Sequence, residues 1–205
     1  MHIIKFFREE NREKILDFLH QNDFATLVAY DGEKPVASHL LMEIVEDSEN
    51  LLVNGHMSRA NPLWKLFEKN PEVLVIFQGP HTYISPTWYN HLNVPTWNYQ
   101  AVHVYGKPRM ITDKSESYGI LKRLIDRYEA NSSYKLETLP QDFVAKEMRG
   151  IAAFQIEVTK IEANFKLSQN RDDENYQNVI LHLEEREDTV SHQVAEAMRK
   201  NRSLG

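Results

Sequence analysis

The chain has 205 residues, enough to bury a substantial core as one domain or as one domain with a tail. A hydrophobic share of 41% and an aromatic share of 10% describe a globular protein and exclude a disordered or fibrous one. The net charge of −6 argues against a broad basic nucleic-acid footprint, and the lack of cysteine removes disulfides, thiolate metal sites and a cysteine nucleophile.

No apolar run is long enough to cross a bilayer, the longest being VLVIF at Val73 to Phe77. The opening MHIIKFFREENREK turns charged too early for a secretory signal, so the expected location is cytoplasmic, away from any membrane.

In chain order, Ile15, Leu16, Phe18 and Leu19 recur at helical spacing behind Glu9, Glu10 and Glu13 and predict a first amphipathic helix. Phe24 to Tyr30 and Lys34 to Val45 predict two strands joined at Asp31-Gly32 by a type I′ turn. A strand at Leu51 to Asn54, a helix from Pro62 to Lys69 and a doubly covered strand at Val73 to Phe77 follow. Gln78 to Gly106 then reads as an overlong connection rich in His, Trp, Tyr and Pro. Such a loop suits a planar, polar-edged ligand.

Tyr99 to Ile111 predicts a strand, Ser115 to Tyr128 a helix, and Ile151 to Ile161 an alternating, half-buried strand. Lys122, Arg123 and Arg127 fall on that helix among acidic residues and read as a solvated face. The balance of strands over helices predicts a mostly β chain with helices (α+β), built as a closed or nearly closed antiparallel barrel. Residues 1–170 form the barrel domain in this reading. Residues 171–205 form a charged helical C-terminal extension with an amphipathic stretch near Val190 to Met198.

Three constellations carry chemistry. In NGHMSRANP, Asn54 to Pro62, Pro62 suits a first helical position, which makes Asn61 the N-cap with Ser58 and Arg59 just before it, a place for a phosphate or simply an ordinary capped helix. Trp97, Tyr99, His103 and Tyr105 alternate onto one strand face, a wall for a flat ring, a barrel interior or a dimer interface. FKLSQNR, Phe165 to Arg171, offers two cations, a hydroxyl and two amides after a strand. His39, His56, His81, His91 and His103 show no close metal-ligand spacing, and no P-loop, dinucleotide fingerprint or nucleophile elbow is present.

The segments FATLV at Phe24, PVASHL at Pro35, GHMSRANPLW at Gly55, VLVIFQGPHTYISPTWY at Val73, VPTWNYQAVHVYG at Val94 and FKLSQNR at Phe165 together resemble the PaiB family of FMN-binding negative transcriptional regulators. The resemblance implies a Greek-key split β-barrel of the pyridoxamine 5′-phosphate oxidase type, usually a homodimer with FMN at the subunit interface. In that superfamily a Ser-Arg-Lys segment contacts the flavin phosphate; Ser58-Arg59-Ala60 stands in the similar place, without the cation at Ala60, which Lys166 or Arg171 would replace. The implied FMN contacts are Ser38, His39, Leu40, Asn54, His56, Ser58, Arg59, Asn61, Trp97, Tyr99, His103, Lys166, Ser168, Gln169 and Asn170. The family label brings DNA as a partner, which the charge does not support. A flavin-dependent oxidoreductase, with His81, His103, Tyr83 and Tyr99 handling protons, is the alternative, and a haem-binding or haem-degrading barrel a remote one.

Overall fold

The structure, a computed structural model, describes residues 1–47 and 50–202. The strands are β1 Arg8–Glu9, β2 Phe24–Tyr30, β3 Pro35–Asp47, β4 Asn50–Ser58, β5 Val73–Ile84, β6 Thr96–Met110 and β7 Ile151–Lys166. The helices are α1 Arg12–Gln21, α2 Lys114–Tyr128, α3 Gln141–Arg149, α4 Asp173–Glu184 and α5 Thr189–Asn201. The strand order is β1-β7-β4-β3-β2-β5-β6, and an additional β7–β6 pairing closes six strands into a ring with β1 added on β7. Registered pairs such as Val28↔Ala37, Ile44↔Val53 and Asn54↔Gln155 are antiparallel.

Two compact units make up the chain: Met1–Phe18, Gln78–His103 and Glu162–Gly205 form the first, and Leu19–Phe77 with Val104–Ile161 the second. Long strands β5, β6 and β7 contribute residues to each unit. In the second, alternation turns Leu27, Met42, Val53, Val75, Phe77, Val104, Phe154 and Ile156 inward, all fully buried. Helix α2 begins at an Asp113 cap, whose carboxylate accepts from the Glu116 N–H at 2.8 Å, and seats Ile120 and Leu124 against Ile111, Ala153 and Leu41. The first unit has its own core of Ile84, Val102, Leu167, Tyr176, Val179, Ile180, Leu183, Val194 and Met198. Asp172 and Asp188 cap α4 and α5 in the same manner. The amphipathic stretch expected near Val190 to Met198 lies within α5; residues 203–205 of the expected extension lie outside the described residues.

Four expectations are corrected. The supposed long loop is mostly strand, because β5 continues to Ile84 and β6 starts at Thr96, leaving residues 85–95 with one 3-10 turn at Pro86–Trp88. Strand β4 runs on to Ser58 rather than stopping at Asn54. The helix expected from Pro62 to Lys69 is a 3-10 turn, Pro62–Leu66. Finally, the turn between β2 and β3 is not type I′. That type needs a positive φ at both central residues, and only Gly32 has one, at 106°.

Candidate functional site

In the second unit, β4 ends at Ser58 and the chain turns through Arg59 and Ala60 into the Pro62 turn. Asn61 caps that turn as expected: its Oδ1 accepts from the Leu63 N–H at 3.0 Å, while its Nδ2 donates to Ser38 Oγ on β3 at 2.8 Å. Ser58 Oγ accepts from the Ala60 N–H at 3.2 Å. Both serine oxygens are therefore already acceptors, and each hydroxyl proton remains available to an incoming anion.

Arg59 is held by its backbone. Its N–H donates to Gly150 O at 2.8 Å, and its carbonyl accepts from Trp64 Nε1 at 3.1 Å. The guanidinium lies 6.0 Å from the Trp64 ring centroid, is exposed, and makes no ion pair among the described residues. Two hydroxyls, an amide and a guanidinium thus belong to residues at or next to Asn61, with no carboxylate partnering Arg59 among the described residues. A five-residue 3-10 turn adds little dipole, so the attraction for an anion comes from these side chains.

The neighbouring candidates differ in how free they are. His39 is exposed and stacks on Phe24 at 6.2 Å, and Leu40 is half-buried on the same strand. Asn54 is almost wholly buried and its amide is engaged on both sides: Nδ2 donates to Glu43 at 3.2 Å and Oδ1 accepts from Gln155 at 2.9 Å. Arg123 grips Glu43 bidentately at 2.6 and 2.9 Å, so Asn54 sits inside a polar chain that ties α2 to the sheet. His56 is half-buried, its Nδ1 is occluded without a hydrogen-bond partner among the described residues, and burial lowers its pKa.

The remaining candidates lie in the first unit. On β6, Trp97, Tyr99 and His103 occupy the more exposed face while Asn98 and Val102 turn inward. Trp97 is 51% exposed and packs edge-on to Tyr83 at 6.3 Å and tilted to His81 at 6.1 Å. Burial and the N-terminal ammonium lower the His103 pKa, against an opposing pull from Glu162.

The end of β7 joins this stretch side chain by side chain. Asn164 Nδ2 donates to Tyr99 Oη at 2.8 Å; Lys166 donates to Thr96 Oγ1 and, at 2.9 Å, to Trp97 O; Ser168 Oγ donates to Asn98 Oδ1 at 3.1 Å. Ser168 is buried and takes a left-handed φ of 61°, a strained state for a residue with a side chain. Gln169 folds back on its own turn, to Leu167 N and Phe165 O, whereas Asn170 is exposed. Sequence reasoning passed over Asn98, Thr96 and Asn164. The available signal was an amide at the inward position between Trp97 and Tyr99, where alternation calls for an apolar residue.

The chemistry of the second-unit cradle suits a phosphate monoester, the end group of a flavin mononucleotide. A profile of the family described as "Putative FMN-binding domain" matches residues 1–160. The "Protease synthase and sporulation protein PAI 2" of Bacillus subtilis (strain 168) is 41% identical over 200 residues, covering 97% of this chain and 96% of that protein. Among solved structures, the flavocytochrome Anf3 from Azotobacter vinelandii superposes with a TM-score of 0.60 at 17% identity, over 86% of this chain and 78% of that one. The FAD and haem binding protein from Mycobacterium smegmatis superposes with a TM-score of 0.60 at 16% identity, over 78% and 73%. At such identities these neighbours speak for the fold, a split barrel. The chain belongs to the family of the "Putative FMN-binding domain", a PaiB-like protein with FMN as its cofactor.

Proposed function

We propose that the chain is a homodimeric, cytoplasmic regulator of the PaiB type, with the FMN phosphate held by Ser38, Ser58, Arg59 and Asn61. The observation that carries the phosphate assignment is the exposed Arg59 guanidinium, without an ion pair among the described residues, on the same turn as Ser58 and Asn61, with the Ser58 and Ser38 oxygens already accepting hydrogen bonds. His39, Leu40, Asn54 and His56 line the adjacent strands of the same unit and complete that group. Trp97, Tyr99, His103, Lys166, Ser168, Gln169 and Asn170 form a second proposed group: the rings offer stacking faces, Lys166 keeps one N–H beyond its two hydrogen bonds, and Ser168 and Gln169 fix the backbone. When bound, FMN supplies a flavin ring able to accept and return electrons. FMN titration of the flavin-free protein tests the assignment. Quenched flavin fluorescence that saturates at one FMN per chain is expected, and no saturable change would overturn it.

Support for the dimer comes from the outer face of β2, β3 and β5. Pairs Val28↔Ala37, Tyr30↔Pro35, Val28↔Leu74 and Thr26↔Ile76 put their side chains on one face, and none of these apolar residues is fully buried. Phe24 and Tyr30, on the same face, are 67% and 51% exposed. Val28→Arg is expected to convert a dimer to a monomer in sedimentation; a monomeric wild type would refute the dimer. With a net charge of −6, regulation is expected to run through another protein rather than a broad DNA contact. A tight mobility shift of promoter DNA at physiological salt would overturn that expectation.

A further inference from the structure

A second set of unmatched donors lies in the first unit, around Arg171. Its guanidinium sits 4.9 Å from the Tyr89 ring centroid and donates to Asn93 Oδ1 at 3.3 Å. Arg171 makes no ion pair among the described residues, and the next residue, Asp172, directs both oxygens to Asn175 at 2.8 to 3.0 Å. Tyr89 is 8% exposed and, among the described residues, its hydroxyl has no hydrogen-bond partner; Asn93 Nδ2 is likewise buried without one. Lys166 hydrogen-bonds Thr96 and Trp97, a few residues along the same segment as Asn93, and also lacks a carboxylate partner among the described residues. His91 packs on Tyr89 at 5.7 Å.

Every unmatched group here is a donor or a cation. A buried donor left without an acceptor costs free energy comparable to a lost hydrogen bond, and one oxyanion would satisfy several at once. We propose that Arg171, Tyr89 and Asn93 form a binding site for a small oxyanion, the phosphate or carboxylate group of a ligand other than FMN. Arg171 supplies the charge, Tyr89 and Asn93 supply neutral donors, and Lys166 adds positive potential. Burial first, and then the Arg171 charge, lower the pKa of the Lys166 amine, so an anion held by Arg171 relieves a like-charge repulsion. The Tyr89 hydroxyl is occluded, so entry requires a local shift around Tyr89.

The test titrates FMN-saturated protein with inorganic phosphate and, separately, with acetate, following the melting temperature and the heat of binding. FMN saturation fills the Arg59 cradle where that assignment holds, and the variants at Arg171 and Tyr89 locate the anion independently of it. Saturable binding of at least one anion is expected, and the preference between the two distinguishes a phosphate from a carboxylate ligand. Arg171→Gln is expected to weaken it about tenfold or more. Tyr89→Phe tests the same site without removing charge: it should keep or raise the melting temperature without anion and still bind the anion several-fold more weakly. Absence of saturable binding of either anion, or wild-type affinity in both variants, would overturn the proposal.

Discussion

The Asn61 cradle and the β6–β7 arm are both polar, yet they dispose of their donors in opposite ways. Around Asn61, Ser38 and Ser58 act as acceptors and Arg59 has no ion pair among the described residues, so three donors remain available. Along Asn164 to Gln169, nearly every polar group is already committed to a neighbour. The first arrangement is suited to holding an anion from outside; the second mostly holds a strand in place, leaving ring faces and one Lys166 N–H for a ligand. Counting engaged donors therefore separates binding residues from positioning residues where residue type alone does not.

Variants sharpen that contrast. The largest effect on stability is expected at Asn98, which is fully buried and joins Ser168 to the Met198 thioether. Asn98→Ala leaves a cavity and an unpaired Ser168 hydroxyl and should cost about 2–4 kcal/mol in denaturant unfolding. Next comes Ser168→Ala, at about 1–3 kcal/mol, because Asn98 Oδ1 loses its donor while the left-handed backbone stays. By contrast, Arg59→Gln and Ser58→Ala should change the stability of the flavin-free protein by less than about 0.5 kcal/mol. Equal losses at both places would erase the distinction.

Acid adds a smaller effect with a defined sign. Burial lowers the folded-state pKa of His56 and of His103, so the unfolded chain takes up protons first as pH falls. Their contribution is fully present above the unfolded value of about 6.5 and declines as pH drops through the window below it. Melting temperature should therefore fall from pH 7 towards pH 5, and less steeply in His56→Gln. An identical slope in that variant would contradict the role given to His56.

Much of this was readable in the sequence where pattern and chemistry agree. Strand β2 falls on Phe24 to Tyr30, Asn61 caps the turn at Pro62, and α5 contains the amphipathic stretch near Val190. What escaped did so for physical reasons. Gly55 looked like a strand end, but it lies inside β4 because Phe154 and Met42 occupy the space a side chain would need; an added Cβ would sit 2.5 Å from Phe154 Cζ. Gln78 to Gly106 read as a loop, while the alternation of β5 continues through Thr82 and Ile84, both buried. Helix α3 half-buries only Val144 and Met148, a short stripe that is easily passed over in the sequence. The side-chain ladder between residues 93–99 and 164–171 joins segments about seventy positions apart, a pairing that local periodicity does not encode.

Comparison of FMN with riboflavin tests the central claim most directly, because the two differ only in the phosphate. If Ser38, Ser58, Arg59 and Asn61 hold that phosphate, wild-type protein should bind FMN about tenfold to a hundredfold more tightly than riboflavin, and Arg59→Gln should lose most of that preference while riboflavin affinity stays unchanged. Equal affinity for the two flavins in the wild type, or a full FMN preference retained in Arg59→Gln, would contradict the account.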